Sequence, residues 1–331
     1  MRITLVGLAA AALFAAPAFG QTEKTFYFTH PVSDPDMTAV ATVARTMLDM
    51  QDISVDREHR AVVTHGPVEK LVTAEWLFEQ LDHTASATPT HYKMSGEKGE
   101  VIAVIPVAPT ATLADLTAAT TAIRTIVDLQ RLFPYAAQRA IVGRGEPDKI
   151  AAAEWIVSQL SPYQGPAPAG DSPPYPAAPL RPDKADSDSL VRVLRMDPKT
   201  TTSQLTAMVT AIRTVADIQR LFPFEANKAL IMRASPAQVA VAEWLVHEMA
   251  KPADAGTVHQ ITMPGLIDAV VRLFYVGQQT DVAPLAARIR TTVDILRVYP
   301  LGNPSAVVLR GRPDQMSTVE AMVAKFTEGG R

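Results

Sequence analysis

The chain carries seven histidines, 34 carboxylates and no cysteine. His30, His59, His65, His83 and His91 fall in or beside the N-terminal portion, while His247 and His259 lie far down the chain. A metal site could be drawn from them, but their spacing matches no standard zinc pattern, and they read as surface or loop residues. Without thiols there is no disulfide, no thiolate metal site and no cysteine nucleophile. Gly-x-Ser-x-Gly, His-Glu-x-x-His and phosphate-cradling loops are absent. Gly143-Arg144-Gly145 reads as a turn after a strand. No catalytic, cofactor-binding or metal-binding residue is assigned, and the chain is not expected to be an enzyme.

The charges that do carry a pattern recur. Arg45 and Asp49, Arg124 and Asp128, Arg213 and Asp217, and Arg290 and Asp294 are each four residues apart. Thirty residues after each arginine stands a glutamate: Glu75, Glu154, Glu243 and Glu320. In three copies it sits in Ala-Glu-Trp, with Trp76, Trp155 and Trp244; the fourth has Ala321. One reading is a binding row with one charge pair per copy. The reading preferred here is structural, because arginine near a helix C-terminus suits the dipole and aspartate can bond the turn amides after it. The three tryptophans lie off the apolar stripe of their helices and form the candidate interaction surface.

The elements holding these residues follow from periodicity. Leu71, Ala74, Phe78 and Leu81 recur at helical spacing, as do Ile150, Ala153, Val157 and Leu160, then Val239, Ala242, Val246 and Met249, then Met316, Val319, Val323 and Phe326. A second helix precedes each arginine. Short apolar runs closed by Gly or Pro, such as Ala229-Leu230-Ile231, read as strands. The unit is β-α-β-β-α, repeated four times, an α+β fold. Expected boundaries are 21–84, 98–161, 188–251 and 258–329, in two pairs on a proline-rich linker at 162–187. Arg131 to Pro134 and Arg220 to Pro223 share Arg-Leu-Phe-Pro, so those strands either end at the proline or form a sheet edge.

At the N-terminus, Met1-Arg2 and the apolar run Ile3 to Ala16 precede small residues at Ala18 and Gly20. Residues 1–20 therefore read as a signal peptide. The alternative is an uncleaved anchor. No later segment is apolar enough to span a membrane. The formal charge of −3 becomes 30 − 34 = −4 once Arg2 is removed, and with no basic block nucleic acid is an unexpected partner.

The passage Ala229 to Leu245, strand, Ser235-Pro236, then amphipathic helix, resembles the N-terminal repeat domains of bacterial secretins, found in type II and III secretion and type IV pilus systems. The resemblance covers all four units. It implies a βαββα fold, a periplasmic place and side-by-side assembly with envelope or secretion-system proteins, including self-association. It does not extend to a pore domain. KH-type RNA-binding domains share a related arrangement, but their Gly-x-x-Gly clamp is missing. The expected function is an exported, non-enzymatic scaffold or interaction module, periplasmic or secreted; the alternative is a peptidoglycan- or glycan-binding module.

Overall fold

The computed structural model describes residues 22–83, 86–96, 99–160, 173–180, 188–251, 254–263, 265, 269–277 and 281–329. The leader at 1–20 and the linker residues 162–172 and 181–187 lie outside the described residues. The chain divides into two compact units, Met1–Asp82 and His83–Arg331.

The first unit is one repeat: β1 (Thr22–Tyr27), α1 (Asp34–Leu48), β2 (Ile53–Asp56), β3 (Ala61–Gly66) and α2 (Val68–Asp82). Its antiparallel sheet has the order β1-β3-β2. The second unit holds three more. Repeat 2 is β4 (Thr90–Lys93), β5 (Val101–Pro106), α3 (Leu113–Val127), β6 (Arg131–Tyr135), β7 (Ala140–Gly145) and α4 (Pro147–Leu160). Repeat 3 is β8 (Tyr175–Pro176), β9 (Leu190–Arg195), α5 (Thr202–Ala216), β10 (Arg220–Phe224), β11 (Ala229–Ala234) and α6 (Pro236–Met249). Repeat 4 is β12 (Val258–Thr262), β13 (Val270–Tyr275), α7 (Ala283–Val293), β14 (Val298–Gly302), β15 (Ser305–Gly311) and α8 (Pro313–Gly329). The α+β class and the four βαββα repeats are as expected from the sequence.

Local chemistry sets the helix limits. Thr112 with Asp115 and Thr201 with Gln204 form capping boxes at the starts of α3 and α5. Ser33 caps α1. The first helix of every repeat ends on its recurring aspartate in the left-handed region, with φ of 51° at Asp49, 61° at Asp128, 63° at Asp217 and 54° at Asp294. A short polar side chain tolerates that conformation better than an apolar one.

Two features differ from the sequence expectation, and a third decides between its two alternatives for the Arg-Leu-Phe-Pro strands in favour of the sheet edge. Each later repeat gains a strand ahead of its βαββα core. β4, β8 and β12 pair antiparallel with β5, β9 and β13. Tyr175–Pro176 thus makes part of the proline-rich stretch a strand, and Arg233 holds the backbone on its C-terminal side by donating to the carbonyls of Ala178 and Asp188. Next, Gly143-Arg144-Gly145 belongs to β7 rather than a turn. A Cβ at Gly145 would come within 2.3 Å of Leu129 Cδ1, so a bare backbone is what lets that side chain pack on the strand. Last, Pro134 and Pro223 lie inside β6 and β10, which are edge strands, where a missing N–H breaks no ladder.

The grouping into two pairs is also corrected. The division falls at Asp82, and repeats 2, 3 and 4 pack as one body. The sheet of repeat 3 shows why. Leu194, Leu221, Leu230 and Met232 join the core beneath α5 and α6. Val191, Val193, Phe224, Ala229 and Ile231 join the core of repeat 2. The sheet of repeat 4 is used the same way, with Val271, Leu273, Tyr275 and Val308 against repeat 3 and Phe274, Val307 and Leu309 under its own helices. A sheet covered on both faces reads as an apolar run rather than an alternation, as in β11, where Ala229 to Met232 are apolar and all six residues, Arg233 included, are buried. Each fully buried Val, Leu or Ile contributes about 1.5–3 kcal/mol.

Because the junction of repeats 2 and 3 is packed through side chains, a proteolytic cut within 161–188 leaves two fragments that co-elute under native conditions and separate only in denaturant. Their separation in native size-exclusion chromatography contradicts the stacked arrangement.

Candidate functional site

The recurring charged residues take fixed structural places. Arg124 Nη2 donates to Leu132 O at 2.6 Å, Arg213 to Leu221 O at 2.8 Å and Arg290 to Val298 O at 2.6 Å. Arg45 makes the same bond to Ile53 O. Each arginine ties the last turn of a helix to the strand after it. The recurring glutamate pairs with a cation on the first core strand: Glu75 with Lys24 at 2.6 Å, Glu243 with Arg192 at 2.5 Å, and Glu320 with Arg272. In repeat 2 the strand position holds Ala103. There the added strand supplies the partner, His91, directly across from Ala103 and 2.5 Å from Glu154.

The chemistry that joins repeats comes from residues the sequence pattern did not single out as a set. Arg220 Nη1 donates to Thr125 O near the C-terminus of α3 at 2.6 Å. Arg310 Nη1 donates to Val215 O near the C-terminus of α5 at 3.1 Å, and Arg297 pairs with Asp217 at 2.9 Å. Arg220 lies across from Arg233 on neighbouring strands, and the backbone of Arg310 bonds that of Arg297. Two guanidiniums side by side repel, but here they face the negative end of a helix and its capping aspartate. A cation there is worth up to about 2 kcal/mol when partly buried. The Arg297 hydrogen bond holds the Asp217 carboxyl below the usual carboxylate range. Burial lowers Arg233 and Arg310 from the ordinary arginine value, yet arginine stays charged.

The second helices of repeats 2 and 3 are capped from the next repeat too. Arg195 Nη2 donates to Gln159 O at 2.8 Å and Asn227 Nδ2 to Leu160 O at 3.1 Å. At the next junction Tyr275 stands in the place of Arg195, at the end of the first core strand, and its hydroxyl donates to Glu248 O at 2.9 Å. Burial first, then the nearby Glu248 carboxylate, pushes the Tyr275 phenol up to about 12, so it is a neutral donor. The sequence signal was present but split. Arg131, Arg220 and Arg297 recur after the helix, and Arg144, Arg233 and Arg310 recur in the last core strand, yet the partners of Arg220, Arg297 and Arg310 lie in another repeat.

The tryptophans are half-buried. Trp155 lies 5.5 Å from the ring of Tyr175 in β8, and Trp244 packs at the rim of the core shared by repeats 3 and 4. The junctions leave equivalent cavities. One, of 190 Å³, is lined by Val107, Ala119, Leu160 and Phe224. The other, of 290 Å³, is lined by Met196, Met208, Met249 and Leu301. The matching face of α7 differs. Arg288 and Thr292 are exposed where repeats 2 and 3 bury Ala122, Ala211, Ile126 and Val215. Among the described residues there is no cluster of three or more His, Cys, Asp or Glu that could hold a metal ion. Among them, no helix is long and apolar enough to cross a membrane.

No protein-family profile matches the chain, and no curated protein matches it. Solved structures matched include ExeD of Aeromonas hydrophila, at 14% identity and a TM-score of 0.17, over 70% of this chain and 42% of that one. The chain therefore spans under half of ExeD. XcpQN012 matches at 12% identity and a TM-score of 0.22, over 69% of this chain and 99% of that one. The pilotin–secretin complex AspS–GspD from ETEC matches at 11% identity and 0.17, over 91% and 54%. Such scores add nothing to the fold, which rests on element order and register.

Two measurements probe the roles of the recurring charges. Asp217 has a depressed carboxyl, so its contribution is complete above about pH 4, the ordinary carboxylate value, and is lost as pH falls through the depressed one. Arg297→Ala should raise the Asp217 midpoint seen by carbon-detected NMR toward that value and flatten the acid dependence of melting; an unchanged midpoint excludes the pairing. Lys24→Ala removes an exposed partner and should cost about 0–1 kcal/mol. Arg192 is almost fully buried, so Arg192→Ala should cost roughly 3 kcal/mol, with Glu243's partial exposure keeping it at the low end for a broken buried pair. Equal losses in denaturant melts of the two variants contradict a graded role.

Proposed function

We propose that this chain is an exported, non-enzymatic scaffold of the cell envelope that acts through protein–protein contacts, in association with a secretion or pilus assembly. The observation that carries this reading is the use of its patterned charges. Most of them cap helix ends, tie helix to strand or dock one repeat on the next, and only Asp128 and Arg233 also line a described cavity, of 200 Å³, with Glu146, Asp148 and Lys149. Of the two junction cavities, both small, one is mainly apolar and the other sets Arg195, Asp197 and Lys199 beside its apolar residues. A stack of βαββα units presents long surfaces and strand edges, which suits assembly. The leader-like residues 1–20 and the resemblance of Ala229 to Leu245 to secretin repeat domains support a periplasmic role.

The test uses a C-terminally tagged full chain in a Gram-negative host, with photo-reactive residues at Val72 and Leu296, which are 50% and 77% exposed. The expected result is recovery in the periplasmic fraction, with covalent adducts to secretion or pilus proteins. Retention in the cytosol overturns the reading. So does co-sedimentation with peptidoglycan sacculi in place of protein adducts, which selects the glycan-binding alternative.

A further inference from the structure

The four repeats treat one sheet edge differently. In repeats 2, 3 and 4 the outer edge of the first core strand is covered by β4, β8 or β12 in one register. Lys93 lies across from Val101, Pro176 from Leu190 and Thr262 from Val270. Val101, Leu190 and Val270 pair on their other side with Gly145, Ala234 and Gly311. Thr22 of β1 pairs with Gly66 in the same way. Yet among the described residues no strand pairs with the outer edge of β1. Thr22, Glu23 and Tyr27 are exposed, Tyr27 by 65%.

The direction of the edge groups is set by the ladder. Phe28 N–H donates inward to Arg60 O at 3.0 Å. Alternation along an antiparallel strand then points the N–H and C=O of Glu23, Thr25 and Tyr27 outward. Repeat 4 shows those positions filled. Tyr275, the counterpart of Tyr27, donates its N–H to Thr257 O at 3.0 Å and accepts from Gly256 N–H at 2.8 Å. A row of unpaired donors and acceptors is a template for another strand.

We propose that β1 is a strand-addition site for an extended segment of another polypeptide, running antiparallel to Thr22–Tyr27 in the register of β12 on β13. The neighbouring side chains define the segment's chemistry. In repeat 4 Gln260 lies across from Arg272 and accepts from its Nε at 2.8 Å, while Val258 lies across from Phe274. Lys24 and Phe26 occupy those two places in β1, with Lys24 bound to Glu75 and Phe26 stacked on Phe78 at a centroid distance of 4.4 Å. The segment presents an apolar residue toward Phe26 and, two positions on, an acceptor such as Gln toward Lys24. That the strand comes from another chain rests on the export reading, under which Gln21 alone precedes Thr22.

The probe is the synthetic peptide Thr257 to Met263, Thr-Val-His-Gln-Ile-Thr-Met, added to the purified, exported protein. Intact mass first reports whether residues 1–20 are present, which tests the export reading separately. At saturating peptide, exchange of the Thr25 and Tyr27 amides should slow at least about tenfold. Thr25→Pro should abolish the effect, since its N–H points outward and the β3 ladder keeps its bonds. Should that variant fail to fold, a peptide with His259→Pro, which lacks the N–H that faces the strand opposite the Thr25 position, must lose binding to the unaltered protein. Absent slowing, or slowing that survives either proline, overturns the proposal. Protection already present without peptide also overturns it, whether dilution removes it, which assigns the edge to a second copy, or the mass retains residues 1–20, which assigns it to the leader.

Discussion

A helix that ends inside a packed protein leaves carbonyls without donors, and from α3 to α6 the next repeat supplies donors to each helix end. Arg220 serves α3, Arg310 serves α5, Arg195 and Asn227 serve α4, and Tyr275 serves α6. Everything else about the stack must accommodate that meeting. The next sheet has to lie across the helix layer, so its outer face must be apolar. The helices have to let a second surface approach, so Ala122 and Ala211 are fully buried. The aspartate that ends each helix then does two things at once. It adopts the left-handed turn, and at Asp217 it also receives an arginine from the neighbouring repeat.

The bond is kept while the residue changes. Arg195 and Tyr275 occupy one place and reach equivalent carbonyls with a guanidinium in one case and a phenol in the other. Glu154 keeps a partner although its strand position holds Ala103, because His91 arrives from the added strand. Constraint lies on the satisfied polar group, whose loss would leave a buried acceptor unpaired at about 1–3 kcal/mol, and residue identity is held more loosely.

Much of this was legible in the chain. The helical stripe of Leu71, Ala74, Phe78 and Leu81 is buried as its spacing implies, and the arginine–aspartate step marks the end of every first helix. What was not legible was whatever depends on two repeats together. β8 is two residues long within a proline-rich stretch, and β4 lies in a polar one, so neither has a period long enough to register. The double-sided burial of β11 shows as an apolar run, which says that something covers its second face without saying what. Gly143 and Gly145 look like turn glycines until Leu129 and Leu132 are seen against them.

The stack has a direction, sheet first and helices last, so its two ends are not alike. A surface of this kind can in principle add units without limit, because each addition recreates the face that accepts the next, as in head-to-tail fibres. Arg288 and Thr292 on α7 interrupt that logic. A sheet arriving there would have to strip water from a guanidinium with no acceptor waiting for it. Covering this face with a further sheet would thus carry a desolvation cost that the faces bearing Ala122 and Ala211 do not.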